Sequence, residues 1–205
     1  MLLRKKDLKE TSLILTFFTK DFGKVRGVLK GARGSRARSL VNPLFFSLDQ
    51  IVFYERKKSD FFIISQCEAQ KTFLNILKEW KRASVAYYIL ELVDVFTELG
   101  GALESIFENL VEGLTSLDSK KEPSAVARLF EVKFLTALGL WPGGEDFKLT
   151  KGAEATLLCF EKDIWQTSSR IKLTRDVDNE IKKITWNIIS DNLDKPLKTV
   201  SLFNI

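Results

Sequence analysis

The spacing of apolar residues changes character near residue 71, and this change most constrains the fold. Before it come short, apolar, β-rich runs separated by polar turns, the mark of strands, and Lys24 to Lys30 alternates. These runs are Leu13 to Thr19, Lys24 to Lys30, Leu44 to Tyr54 and Phe61 to Glu68, with a short edge strand at Leu2 to Arg4. After it, apolar residues recur every three or four positions. The predicted helices are Lys71 to Leu99, Leu103 to Leu117, one that starts at Pro123 and stops near Gly139, 152 to 162, and 174 to 193. The middle of the first, VAYYILELVDVF, is apolar nearly all round, as for a helix surrounded by others. The expected fold is α+β: a small antiparallel β-barrel of the OB type over 1–70, followed by an α-helical bundle over 71–205. The short first strand leaves closure of the barrel open.

Charge is divided along the same line. Residues 1–58 carry 14 Lys and Arg against 5 Asp and Glu, although the whole chain is only +5. Residues 59–205 therefore net −4. The basicity belongs to the strand-rich part, which points to a polyanion as its ligand. Within it, TFFTKDFGKVRGVLKGARGSRAR (16–38) reads as strand, turn at Asp21 to Gly23, strand, and basic loop. Lys24, Arg26 and Lys30 are evenly spaced, so they are expected to share one strand face, with Val25 and Leu29 on the core side. Arg33, Arg36 and Arg38 follow among small residues. These six cations can track a phosphate backbone. Phe22, at the turn, either stacks on a base or tucks its ring beneath the turn. The bland reading of the whole run is a solvated sheet face.

Several classes of chemistry fit poorly. The chain has no histidine, which removes every imidazole base, relay or ligand. Its two cysteines, Cys67 and Cys159, fall short of the four ligands of a structural zinc site. No phosphate-binding GxxxxGK[ST] motif occurs. The expectation is a protein that is not an enzyme and carries no cofactor or metal. No stretch approaches the ~18 consecutive apolar residues of a membrane helix. No secretory leader is evident, so a cytoplasmic, nucleoid-associated location is expected.

The ordered motifs resemble the RecO family of bacterial recombination-repair proteins. Phe17 to Thr19, Asp21 to Lys24 and Lys30 to Arg33 are similar to the family's "LFT", acidic-aromatic-Gly-Lys and "KGAR" elements. YYILELVD (87–94) is similar to "YLLELVD", RLFEVKFLTALGLWP (128–142) to "R-x-FE-x-x-LL-x-x-LG-x-x-P", and PLKTVSLF to the closing "LKS" segment. The resemblance implies binding of single- and double-stranded DNA, annealing of single strands, and work with RecR and the single-strand DNA-binding protein to load RecA. Arg128 occupies the arginine position of "R-x-FE". It either holds the acidic tail of the single-strand-binding protein or pairs with Glu131 one turn on. Many members carry a four-cysteine zinc site after "LG-x-x-P"; here Gly143 to Phe147 contain no cysteine, so metal is not carried over. Two other readings remain: an RNA-directed OB protein, and a scaffold whose basic face meets an acidic protein partner.

Overall fold

The computed structural model describes residues 1–8, 11–32, 43–55, 61–162 and 164–203. Five strands form one sheet: β1 (Leu2–Leu8), β2 (Ser12–Thr19), β3 (Gly23–Leu29), β4 (Ser47–Tyr54) and β5 (Phe62–Thr72). Their order is β1-β2-β3-β5-β4, with β3 and β5 parallel and the other neighbours antiparallel. This is the strand order of an OB fold. Among the described residues no ladder joins β1 to β4, so the sheet stays open. Helices α1 (Trp80–Phe96), α2 (Glu104–Asp118), α3 (Pro123–Ala137), α4 (Lys151–Lys162), α5 (Trp165–Ser168), α6 (Arg175–Asp191) and α7 (Lys198–Phe203) complete an α+β chain.

The chain divides into two compact units. The first comprises residues 1–74 and 93–107, the second 75–92 and 108–205. The core of the first follows the alternation: Leu13, Leu15 and Phe17 from β2, Val25 and Leu29 from β3, and Leu2, Ile64 and Cys67 are all buried together. Residues of opposite parity on β2 and β3 are also covered. Phe18 is fully buried and its ring lies 6.3 Å from Phe107. Segment 93–107 lies over that second face and joins β3 through the Gly100 N–H, which donates to the Lys24 carbonyl at 2.8 Å.

The second unit is built around α3. Eleven of its residues are buried, from Pro123 to Leu135, which explains the near absence of a polar stripe in the sequence there. Pro123 occupies the first turn, where its missing N–H is not needed. Arg128 and Glu131 are among the buried eleven.

Three boundaries differ from expectation. β1 runs to Leu8, because Arg4, Lys5 and Lys6 are exposed strand residues rather than a polar end. β5 continues to Thr72, held by β4 in a register that reaches Ser47↔Thr72. The helix predicted from Lys71 begins only at Trp80, after a 3₁₀ turn at Ile76–Lys78. Phe73 and Ile76 are both buried, and their spacing mimics a helical stripe without being one.

Candidate nucleic-acid interface

The β2–β3 hairpin organises the site. Gly23 has φ +61 and closes a turn that few other residues would tolerate. Thr19 Oγ donates to the Gly23 carbonyl at 3.0 Å and accepts the Phe22 N–H at 3.1 Å. The turn thereby presents Phe22, which is 58% exposed. Its ring meets the edge of Phe53 at 5.3 Å, and Phe53 meets Phe62 at 4.9 Å. Phe22 is neither tucked away nor unsupported: an open ring rests on an aromatic row that crosses β4 and β5. A cleft beside it is lined by Thr19, Lys20, Gln50, Ile51 and Gln70, with Asp49 at its edge. Gln70 donates to Gln50 at 3.4 Å. Burial raises the Asp49 carboxyl above its usual range.

The cations of β3 do not share one open face. Lys24 is a correction to the sequence expectation. It is buried, its Nζ donates to the Asp94 carbonyl at 2.7 Å, and the Asp94 carboxylate lies 3.6 Å away. Arg4 also bonds that carboxylate. Burial lowers the Lys24 ammonium from its usual value, against the opposing pull of Asp94. A lysine held in this way fastens segment 93–107 to β3 and is not on offer to a ligand. Arg26 is half-buried, with its guanidinium 5.9 Å from the centre of the Phe61 ring. By register it lies beside Thr16, which lies beside Arg4. Lys30 is exposed in the turn just past β3 rather than on the strand. Arg33, Arg36 and Arg38 lie outside the described residues.

The sequence reading missed Lys5 and Lys6, both exposed on β1. Their signal was present in the run RKK, but a strand ending at Arg4 left them without a place. Lys20, beside Phe22, pairs with Glu104 at 2.9 Å.

In the second unit, Arg128 is 3% exposed. Its Nη1 pairs with Glu131 Oε2 at 2.9 Å, and its Nε stands 3.5 Å from Asp178 Oδ1, with neither of these last two atoms hydrogen-bonded. The i+3 pairing with Glu131 is thus realised. Arg128 also lines a cleft with Trp80, Lys81, Val85, Pro123 and Lys182. Glu131 accepts from Tyr88 Oη at 2.8 Å and from Thr185 Oγ1 at 2.5 Å. Burial raises the Glu131 carboxyl above its ordinary value, although Arg128 opposes this.

Residues 1–73 match the family model described as Recombination protein O N terminal, and residues 77–146 match Recombination protein O C terminal. A DNA repair protein RecO of Caldicellulosiruptor bescii is 30% identical over 205 residues, which span 98% of this chain and 83% of that protein. The chain belongs to the RecO family. The DNA repair protein RecO of Pelotomaculum thermopropionicum is 28% identical over 208 residues, 100% of this chain and 79% of its own length. That of Moorella thermoacetica is 31% identical over 142 residues, 69% and 52% respectively.

The zinc that many RecO proteins carry does not fit this chain. Cys67 lies in β5 and Cys159 in α4, on different units. Burial pushes the Cys67 thiol up to about 12, the wrong direction for a metal-binding thiolate. Where the cysteine loop would be, a 3₁₀ turn at Gly144–Asp146 is held by a side chain instead: Glu161 Oε1 accepts from the Gly144 N–H and from Trp141 Nε1, both at 2.7 Å. Among the described residues no group of three or more Cys, Asp or Glu could hold a metal ion. No described helix is long and apolar enough to cross a membrane.

Proposed function

We propose that this protein binds single-stranded DNA on the sheet unit and anneals complementary strands as a cytoplasmic, nucleoid-associated recombination-repair mediator. The carrying observation is similarity along nearly the whole chain to proteins named DNA repair protein RecO. The geometry supports it. An exposed ring, Phe22, stands on an aromatic row at the hairpin turn. Base stacking on such a ring contributes roughly 1–3 kcal/mol per base and tolerates any sequence. Arg26 and Lys30, followed by Arg33, Arg36 and Arg38, supply charge for the backbone, joined by Lys5 and Lys6. Lys24 is left out of this set because Asp94 holds it.

Annealing two polyanions requires neutralised charge and no bond chemistry, so the protein acts without catalysis, cofactor or metal. Single-strand-binding protein and RecR are its partners, and RecA loading is the outcome. Arg128, buried and paired with Glu131, is left out of the partner surface as Lys24 is left out of the DNA-binding set.

The test is strand pairing followed by fluorescence with complementary oligonucleotides, naked and coated with single-strand-binding protein. The protein should accelerate both. Replacing Arg26, Lys30, Arg33, Arg36 and Arg38 with alanine should weaken single-strand binding at least about tenfold, since each lost phosphate contact removes a released counterion. Pairing at the uncatalysed rate in both settings contradicts the proposal.

A further inference from the structure

Residues 59–205 are net acidic, yet four cations converge in one place on the second unit. Lys120 and Lys121 come from the turn between α2 and α3. Arg170 and Lys172 come from the turn between α5 and α6, some fifty residues later. The four line a single open cleft with Ile171 and one acid, Glu122. Lys120, Arg170 and Lys172 are exposed. Among the described residues none of the four is ion-paired with an acid. Four like charges brought together with a single acid repel, which marks the cluster as prepared for an anion.

Lys120 supplies a second, independent observation. Its φ is +61, the left-handed position that closes α2. The Lys120 N–H donates to the Leu117 carbonyl at 3.1 Å, and the Lys121 N–H reaches back to Ser116 at 3.2 Å. Glycine is the residue suited to this position, because a Cβ is disfavoured there. A lysine held in an unfavourable backbone conformation at the mouth of a cationic cleft points to a use for its charge.

We infer that Lys120, Lys121, Arg170 and Lys172 form a second phosphate-backbone site, which takes a second strand or the duplex product. The inference rests on the proposed annealing function and adds where the other strand is held. The lining favours nucleic acid over an acidic peptide. It has four cations and no aromatic ring, so it offers charge to a repeating phosphate chain. Its apolar lining is limited to Ile171 and Leu173, against four cations. A site without stacking or base contacts is indifferent to sequence and accepts a duplex.

The test uses the full chain and a fluorescein-labelled duplex of thirty base pairs, with binding read by anisotropy across salt concentrations. Two variants are compared with the native chain: Lys120→Gly alone, and Lys120→Gly with Lys121→Ala, Arg170→Ala and Lys172→Ala. The single variant should keep or raise Tm, since glycine suits the turn, while weakening duplex binding about threefold. The fourfold variant should weaken it by more than tenfold. Its log–log salt slope should become shallower by about two to three, at ~0.9 per duplex phosphate. Single-strand binding should fall less than duplex binding.

Native-like duplex affinity and salt slope in the fourfold variant overturn the second site, while single-strand binding by that variant leaves the annealing function standing. Loss of binding to a ten-residue aspartate–glutamate peptide with duplex affinity unchanged also overturns it, and reassigns the cleft to an acidic protein. A native chain that binds neither single strand nor duplex overturns the underlying function and this site with it.

Discussion

Glu131→Ala is expected to lower the unfolding free energy by about 3–5 kcal/mol, because it leaves a buried guanidinium without its counter-charge. Glu131 is 1% exposed and is the shared acceptor for Arg128, Tyr88 and Thr185. Its removal orphans two hydroxyls as well as Arg128, and each donor left unmet in the interior adds to the loss. Urea unfolding followed by circular dichroism checks the size; a change under about 1 kcal/mol contradicts the account. Glu131→Gln keeps the shape and one acceptor oxygen, so its loss is smaller. The variants also separate from the native chain in pH. Burial raises the native carboxyl above the 4.5 of an unperturbed glutamate, so the folded state holds this proton more tightly than the unfolded state. The proton-linked part of the stability is therefore fully present below pH 4.5 and is lost as pH rises through the folded value. The Glu131→Gln variant, which cannot titrate there, should lack that decline. An identical pH profile in the native chain and the variant contradicts the shift.

The second large effect is expected at Gly23. A Cβ there would stand 2.0 Å from the Gly101 carbonyl oxygen and 2.6 Å from that of Gly100, both of them backbone atoms that cannot swing aside. The φ of +61 adds the ordinary penalty for a side chain in that region. Gly23→Ala should destabilise by about 2–5 kcal/mol, as overpacking and backbone strain together imply. It should also release segment 93–107 from β3, since the Gly100–Lys24 bond depends on the close approach. Gly31→Ala is the control. Gly31 has φ +71 but nothing within 4 Å of its Cβ position, so only the backbone penalty of about 1 kcal/mol applies. Equal losses at the two glycines would mean that close approach is not what Gly23 provides. Hydrogen exchange of the Gly100 amide should rise in Gly23→Ala and not in Gly31→Ala.

What could be read from the chain and what could not follow from the range of the interactions involved. An apolar, β-rich run placed β2, and alternation placed β3 with its core residues Val25 and Leu29, because both are local properties. The i+3 pairing of Arg128 with Glu131 was legible for the same reason. Burial of Lys24 was not, because it depends on Asp94 and Gly100, some seventy residues away, returning to cover the second face of β3. Nor were Tyr88 and Thr185 legible as partners of Glu131, at separations of 43 and 54 residues. The cationic cleft at Lys120 and Arg170 was hidden by averaging: its residues sit in two short turns of a region whose net charge is negative. Phe22 was marked by its place in the turn, and only the row through Phe53 and Phe62 shows what supports it.

The central claim, that the sheet unit binds single-stranded DNA through its phosphates, is tested most directly by the salt dependence of binding to an unstructured oligonucleotide. If about four to six phosphates are neutralised, log Kd against log salt should have a slope of about 3 to 4, at ~0.7 per single-strand phosphate. That slope should hold for oligonucleotides of different sequence, and it should fall by more than half when Arg26, Lys30, Arg33, Arg36 and Arg38 are replaced with alanine. Affinity that does not change between low and physiological salt, or a slope unaffected by those replacements, contradicts it.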